Sequence, residues 1–188
     1  YERDSALQSL ERGIKLGEEV LSMTAPDDPM RATYLNRQGM AFLLRHELNG
    51  TVLDLDRSFE LIEAAMKLTP KTQSQWKLLC SAYADLFRHR FKLNGTIEDL
   101  EEAVSRVREA IHEEPEENHI LLESLARQLG HRYMTLGEIE DLDEAIKAAE
   151  RAVKLGHQDQ GNRYQADGLM RLGYLLMDRF EAKGHQED

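Results

Sequence analysis

Two histidines have the same place in the sequence relative to a small residue. His89 follows Ala84 by five residues, and His131 follows Ala126 by five. Imidazole side chains at matched positions could bind a metal ion or the carboxylate of a peptide. The alternative is that both are ordinary surface positions. We prefer that interpretation from the sequence, because the seven histidines of the chain are otherwise scattered.

The cysteine and an acidic run offer little more chemistry. Cys80 has the place in its segment that Leu35, Leu122 and Leu169 have in theirs, so we interpret it as a small core residue rather than a nucleophile. The acidic run at 113–117 lacks the glycine and the alternating ligands of a calcium loop. It is typical of a solvated turn, with a cation site as the second choice.

Known catalytic motifs do not occur in the sequence. It contains no glycine-rich phosphate loop, no G-x-S-x-G and no H-E-x-x-H. We therefore expect no enzymatic activity, no catalytic residue, no bound metal and no cofactor.

One ten-residue stretch occurs three times in the chain with small changes. Residues 137–146 read GEIEDLDEAI, residues 95–104 read GTIEDLEEAV, and residues 50–59 read GTVLDLDRSF. The first glycines of these stretches are 45 and 42 residues apart. A fixed period of this length indicates a stacked repeat protein. The low aromatic content, 6%, also favours helix-on-helix packing.

Helical spacing of the apolar residues, interrupted by glycine and proline, predicts eight helices. They cover residues 3–23, 30–48, 53–68, 74–93, 97–113, 118–135, 139–155 and 162–183. The odd-numbered helices are called B helices and the even-numbered ones A helices. The glycines that follow Asn49 and Asn94 predict left-handed helix ends. Thr51 and Thr96 then begin sequences typical of capping boxes, with Asp in place of the usual Glu.

Each A helix carries a small residue eleven positions before the glycine that closes it. An apolar stripe, here called the A stripe, runs through each small residue. The four A stripes are Leu35-Gly39-Phe42-His46, Cys80-Ala84-Phe87-Phe91, Leu122-Ala126-Leu129-Tyr133 and Leu169-Gly173-Leu176-Phe180. A small residue at a repeated position predicts that two helix backbones approach closely there.

These residues resemble a tetratricopeptide repeat, or TPR. The pairs that fit its first helix are Gly39 with Phe42, Ala84 with Phe87, and Ala126 with Leu129. The residues that fit its second helix and its terminating proline are Ala103-Val107-Ala110, Ala145-Ala149-Ala152, Pro70 and Pro115. The resemblance implies an all-α fold, a right-handed α-solenoid of antiparallel helix pairs, over residues 1–188.

The repeat period of this chain is longer than the usual TPR period of about 34 residues. This long form resembles the tandem arrays of fungal proteins, which often adjoin a nucleotide-binding switch domain or a caspase-like domain. We therefore expect the chain to be one repeat array within a longer fungal protein.

The bulk composition argues against two kinds of partner. With a formal net charge of -11 and a pI near 5.1, the chain should repel the phosphate backbone of nucleic acid. No apolar run approaches the ~20 residues that cross a bilayer, so we expect no membrane partner. A single cysteine favours a reducing compartment, and we expect the cytoplasm.

Charge is divided unevenly along the chain. The A segments, residues 30–50, 74–95, 118–137 and 162–184, hold 13 of the 24 Lys and Arg but only 6 of the 35 Asp and Glu. The resemblance implies that A helices line a concave groove and B helices an outer face. The groove should therefore be relatively basic and attract an acidic peptide, since Arg binds carboxylate bidentately.

The resemblance also implies which residues line or flank that groove. They are Asn36, Arg37, Met40, Leu43, Ser81, Asp85, Arg88, His89, Glu123, Arg127, His131, Arg171 and Tyr174. Arg88 and Arg127 are the first choices for ligand contact. The alternative is that they pair with Asp85 and Glu123, and exposed pairs of this kind contribute only ~0–1 kcal/mol.

Two further features of the groove bear on its ligand. Asn36 and Met40 stand where the carboxylate clamp of chaperone-binding arrays needs a Lys and an Asn, so we do not expect a chaperone tail. Met40, Leu43, Met170 and Met177 are expected to be exposed and to suit an adaptable apolar contact.

The sequence thus predicts a scaffold that binds a peptide or a partner domain on its concave A-helix face. The alternative is an oligomerisation or sensor arm that regulates an attached switch or protease domain. Because an array without polar caps exposes apolar surface at its ends, self-association through open solenoid ends is also expected. A fragment of a regulatory enzyme is the third interpretation, and the sequence offers no catalytic site for it.

Overall fold

The structure is a computed structural model that describes residues 2–113, 118–156 and 163–184. All regular secondary structure in these ranges is α-helical. The helices are α1 (Glu2–Met23), α2 (Arg31–Asn49), α3 (Val52–Leu68), α4 (Ser74–Asn94), α5 (Ile97–His112), α6 (His119–Leu136), α7 (Ile139–Gly156) and α8 (Arg163–Gly184). Each bound lies within one residue of the bound expected from apolar spacing and stop signals. The greater part of the acidic run, 114–117, lies outside the described residues.

Glycines end the A helices as predicted. Gly50 and Gly137 are left-handed, each with φ 75°, and Gly95 has φ 70°. The N–H groups of Gly50 and Gly137 donate to the carbonyls of His46 and Tyr133 at 2.7 Å. The left-handed helix ends are therefore confirmed, and they favour glycine through backbone conformation, since no atom would crowd a Cβ there.

The capping boxes predicted at Thr51 and Thr96 are wrong. Neither threonine side chain accepts a hydrogen bond from the helix that follows it. Thr51 Oγ1 donates instead to Asn49 Oδ1 at 2.8 Å. Asp54, the residue expected to complete the first box, accepts from the guanidinium of Arg45. Two hydrogen bonds from a charged guanidinium are stronger than one from a backbone N–H to the same carboxylate, and they decide where the Asp54 carboxylate points.

The chain divides into two compact units, Tyr1–Asn94 and Gly95–Asp188. In the first unit α1 packs on α2, α2 on α3 and α3 on α4, and α2 also touches α4. The second unit repeats this arrangement with α5 to α8, and α6 touches α8. Each unit therefore places two A helices side by side. One continuous array over residues 1–188 stays a prediction.

The small residue of α2 lies at a close helix approach. Ser58 Oγ on α3 donates to the Gly39 carbonyl at 2.8 Å. A Cβ added at Gly39 would lie 2.8 Å from Ile62 Cγ1. Leu35 and Leu55 belong to the same buried core. The close approach predicted for α2 is confirmed.

The second unit has an equivalent core between α6 and α7. Ala126, Leu129, Leu142 and Ala145 are all fully buried. In the first unit, Cys80 is buried as well, which agrees with its interpretation as a core residue. The A stripes of α2 and α6 thus face the B helix that follows each of them.

The A stripe of α8 does not behave in this way. Leu169, Leu176 and Phe180 are 47%, 46% and 80% exposed, and no atom approaches the Cβ position of Gly173 within 4 Å. The prediction of a close helix approach at Gly173 is therefore wrong. Among the described residues α8 packs on α7 and touches α6, and its buried residues are Gly168 and Leu175.

Candidate functional site

A cleft of about 260 Å³ lies between the A helices of the second unit. Helix α6 contributes five of its lining residues and α8 contributes four. They are Ala126, Arg127, Gly130, His131, Met134, Arg171, Tyr174, Leu175 and Asp178. Four residues of the predicted groove, Arg127, His131, Arg171 and Tyr174, are thus brought together in one place.

Helical periodicity explains which side chains reach this cleft. On α6 the lining positions Arg127, His131 and Met134 are four and three residues apart, so they share one face. Gly130 lies on the same face and lets α8 approach. A Cβ added there would lie 3.1 Å from Leu175 Cδ2. The floor is therefore apolar and closely packed.

One carboxylate holds the two guanidinium groups of the cleft. Glu123 Oε1 accepts from Arg127 Nη1 at 3.3 Å and from Arg171 Nε at 3.2 Å. All three side chains are at least two-thirds buried. The alternative in which Arg127 pairs with Glu123 is thus present in the structure. Two cations share one anion, so the triad keeps a formal charge of one positive unit.

The mouth of the cleft combines apolar and acidic groups. Met134 and Tyr174 are largely exposed beside it. Burial raises the pKa of the Asp178 carboxyl, and the neighbouring Glu181 raises this pKa further. The arrangement can accept an apolar side chain on its floor and a carboxylate beside the guanidinium groups.

In the first unit, the polar side chains of the A helices α2 and α4 contact one another. Arg88 Nε lies 3.6 Å from Asp85 Oδ1, and both side chains are mostly buried. Arg88 Nη2 donates to His89 Nε2 at 3.1 Å. His89 is 6% exposed and meets the ring of His46 edge-on, with 6.0 Å between centroids. Arg88 is therefore committed to internal contacts.

His89 is held in its neutral form. Burial lowers the pKa of His89 to about 4, and the positive charges of Arg88 and Lys92 add to the effect. Glu47 Oε1, 3.1 Å from His89 Nε2, would favour the protonated ring. Burial is the larger effect, and a donor from Arg88 requires an unprotonated Nε2. The surface interpretation of His89 is wrong.

The two histidines that match in sequence have different surroundings. His131 is partly exposed and lines the α6–α8 cleft. His89 is buried within the first unit. No group of three His, Cys, Asp or Glu side chains in the described ranges is placed to hold a metal ion.

The remaining predicted residues of the first unit are dispersed. Arg37 and Met40 are exposed, and Asn36 and Ser81 are partly buried. Leu43 is 4% exposed and belongs to the core, so its expected exposure is wrong. The face of α2 that carries Leu43 packs inward. Met170 and Met177 on α8 are exposed, as expected.

Several cleft residues were missed from the sequence. Met134, Leu175 and Asp178 lie four residues after Gly130, Arg171 and Tyr174. The signal was available, because residues four apart share a helix face. Of the groove residues expected on α8, Arg171 and Tyr174 line the cleft, whereas Met170 and Met177 do not.

Solved structures with TPR-like repeats share this fold. One contains nearly identical TPR-like repeats of a Podosopora anserina protein described as a kinesin light chain. It is 16% identical, with a TM-score of 0.57, and the match covers 98% of this chain and 88% of that chain. A single-substitution variant of that fungal protein gives 16% identity, a TM-score of 0.58 and the same coverage. At this identity the likeness shows the fold alone.

The fold comparison agrees with the resemblance seen in the sequence. The chain has an all-helical, TPR-like repeat fold. No family model matches the chain, and no curated protein matches it in sequence. Within the described residues, every helix is too short or too polar to cross a membrane.

Proposed function

We propose that this chain is a non-enzymatic scaffold that binds protein, and that the α6–α8 cleft holds a short acidic segment of the partner. Helical repeat folds of this kind are typical of protein-interaction scaffolds. The observation that carries the proposal is the pairing of an apolar floor with two guanidinium groups on one carboxylate. The floor is formed by Ala126, Gly130 and Leu175.

The size of the cleft supports a side chain as its occupant. A volume of about 260 Å³ is below the ~300–1,000 Å³ of typical small-molecule sites. A leucine or methionine side chain fits such a space better than a whole cofactor. Burial of one such side chain contributes about 1.5–3 kcal/mol, enough for a weak anchor that needs additional contacts.

The guanidinium groups of the cleft indicate which ligand residues should lie beside the apolar side chain. Arg127 and Arg171 both donate to the carboxylate of Glu123. A carboxylate on the ligand would form charge-assisted hydrogen bonds with these guanidinium groups. We therefore expect a ligand with an apolar residue flanked by Glu or Asp.

The test uses the peptide acetyl-Glu-Glu-Leu-Glu-Glu-amide, titrated into the isotope-labelled chain and followed by two-dimensional NMR. We expect shifts at amides of α6 and α8, and binding about tenfold weaker for Arg171→Glu. Arg57→Glu, an exposed residue of the first unit, is the matched control for net charge. Unchanged binding by Arg171→Glu, or shifts confined to the first unit, would overturn the proposal.

We propose the location of the protein and its class of partner from the net charge and the cysteine content. We place the scaffold in the cytoplasm of a fungal cell, with protein as partner and with neither nucleic acid nor membrane as ligand. The net charge of -11 supports the exclusion of nucleic acid. The single cysteine is buried, which suits a reducing compartment. The scaffold needs no metal and no cofactor for this role.

Association through the ends of the array, in an oligomerisation or sensor arm, is the second candidate. Exposed apolar residues of α1 and α8 favour it, among them Leu16, Val20 and Leu176. Light scattering over a dilution series tests it. A mass that rises with concentration supports association, and a constant monomer mass contradicts it.

A further inference from the structure

The α6–α8 cleft carries opposite charges at its two ends. On α8, Tyr174, Leu175 and Asp178 follow Arg171 by three, four and seven residues, so all four lining residues share one helix face. A guanidinium therefore stands at one end of this face, an aromatic ring and a leucine in the middle, and a carboxylate at the other end. At 1.5 Å of rise per residue, the two charged residues are about 10 Å apart along the helix axis.

The first unit contains the same pair of A helices, and there the space that corresponds to the cleft floor is filled. Counted back from the closing glycines, Leu43 on α2 has the place of Gly130, and Leu86 on α4 has the place of Leu175. Leu43 and Leu86 belong to one buried core. Gly130 contributes no side chain, and the cleft lies beside it. A leucine side chain is therefore the apolar group that the first unit places at this position.

The mouth of the cleft also differs from its counterpart in the first unit. Relative to the closing glycines, Glu47 and His89 have the places of Met134 and Asp178. Glu47 Oε1 lies 3.1 Å from His89 Nε2, so two polar side chains meet there. In the second unit the corresponding Met134 is a thioether, which has no proton to donate to the carboxylate of Asp178. The polar contact of the first unit is thus not repeated in the second.

The Asp178 carboxylate forms no ion pair with another side chain that the structure describes. Burial raises the pKa of this carboxyl, and the charge of Glu181 raises it further. An ammonium or guanidinium close to Asp178 would lower that pKa instead. A cationic side chain from a ligand would therefore be attracted to this end of the cleft, and a carboxylate would be repelled.

We propose that the ligand of this cleft is a segment of a partner protein with an acidic residue on one side of a leucine and a basic residue on the other. The acidic side chain binds Arg127 and Arg171, and the leucine lies on the floor beside Gly130. The ammonium or guanidinium of the basic residue binds Asp178. This inference rests on the proposed function of the cleft and narrows its ligand, because a cation replaces the acidic residue on one side.

The length of the cleft sets the spacing of the two charges in the ligand. An extended peptide advances about 3.3 Å per residue, so the separation of about 10 Å along α8 corresponds to about three residue steps. The acidic and the basic residue should thus be three positions apart, with the leucine between them. Both directions of the peptide chain satisfy this spacing, and the test includes both.

The probes are the peptides acetyl-Glu-Glu-Leu-Ala-Lys-amide and, for the opposite direction, acetyl-Lys-Ala-Leu-Glu-Glu-amide. Each is compared with the same peptide carrying glutamate in place of lysine. Binding to the whole isotope-labelled chain is measured by two-dimensional NMR at low and at high salt. We expect one of the lysine peptides to bind about threefold to fivefold more tightly than its glutamate counterpart at low salt, and this advantage to shrink as salt is raised.

Two variants test the role of Asp178 in this preference. Asp178→Asn should abolish the advantage of the lysine peptide, and Asp178→Lys should reverse the preference in favour of the glutamate peptide. Asp167→Asn is the matched control, because it removes an exposed carboxylate of α8 at a position that does not line the cleft. It should leave the advantage unchanged. Asp178 is partly exposed, so the chain should fold with either change, and circular dichroism checks this.

The outcomes distinguish a failure of this inference from a failure of the proposed function. Glutamate peptides that bind as tightly as the lysine peptides would overturn the inference and leave the proposed function in place. An advantage of lysine that persists in Asp178→Asn would do the same, because it would come from the net charge of the chain rather than from the cleft. If none of the four peptides binds the wild-type chain, both proposals fail.

Discussion

Arg132 holds Asp141 across the left-handed turn that joins α6 to α7. Its Nε and Nη2 atoms donate to the two carboxylate oxygens at 2.6 and 2.5 Å. Arg45 and Asp54 make the same bidentate pair between α2 and α3, at 2.7 and 2.6 Å. The hydrogen bond from each arginine to its aspartate raises the pKa of that guanidinium. The pair fixes the direction in which each B helix leaves its A helix.

Asp141→Asn should lower the free energy of unfolding by about 1–3 kcal/mol. The substitution leaves the mostly buried Arg132 guanidinium without its counter-charge. Urea denaturation followed by circular dichroism measures the loss. Glu144→Gln is the control, because its pair with Arg108 is exposed on both sides and should contribute only ~0–1 kcal/mol. Equal losses of unfolding free energy in the two variants would show that the Arg132–Asp141 pair contributes no more than an exposed pair.

Gly39→Ala and Gly173→Ala should have opposite effects on stability. The two glycines have the same place in their A stripes, but a Cβ at Gly39 would meet the fully buried Ile62 at 2.8 Å. Overpacking of this kind costs about 1–3 kcal/mol, more than the ~1 kcal/mol that alanine adds to helix propensity. Gly173 has open space, so alanine should stabilise α8 by up to about 1 kcal/mol.

Thermal and urea unfolding of the two variants provide the test. Destabilisation by Gly39→Ala with a neutral or stabilising Gly173→Ala agrees with the packing. A destabilising Gly173→Ala would mean that something covers the α8 stripe in solution, and parallel light scattering would show whether it is a second copy.

His89 should make the protein less stable as the pH falls from about 6.5 to 4. In the unfolded chain its pKa is near the ordinary 6.5, whereas burial lowers it to about 4 in the folded protein. The unfolded state therefore takes up a proton first in this window, which costs up to about 3 kcal/mol of folding stability. Well above pH 6.5 the ring is neutral in both states and contributes no pH dependence.

His89→Gln should reduce the loss of folding stability between pH 6.5 and 4. Its free energy of unfolding, measured by urea at pH 4.5, 5.5 and 7, should fall less steeply than that of the wild-type chain. His112→Gln, at an exposed position, should keep the wild-type slope. A wild-type slope in His89→Gln would show that Glu47 or other groups dominate acid sensitivity.

Glu123→Gln should tighten binding of the acidic pentapeptide. The carboxylate of Glu123 occupies Arg127 and Arg171, and a neutral amide competes less well for their donors. We expect a gain of several-fold at low salt that shrinks as salt is raised. Glu144→Gln makes the same charge change on α7 and should have little effect. Weaker binding by Glu123→Gln would mean that Glu123 positions the two guanidinium groups rather than competing for them.

The sequence by itself determined the helices and their turns. Apolar spacing and closing glycines predicted helix bounds within one residue, and the left-handed glycines at 50 and 95 were expected from the asparagines before them. The small residues Gly39 and Ala126 pointed correctly to buried stripes. These features are local, because they depend on backbone preferences and on which residues share a helix face.

The tertiary structure decided which neighbouring residues each helix face contacts. His89 and His131 match in sequence, but only His89 is enclosed by its neighbours. Asp54 could cap α3 or bind Arg45, and the nearby guanidinium decided between them. The stripe of α8 has the same residue pattern as that of α2, but in the part of the chain that the structure describes its apolar side chains are largely exposed, whereas those of α2 are buried. Periodicity shows that a face is apolar, whereas its burial depends on which other helix lies within contact distance.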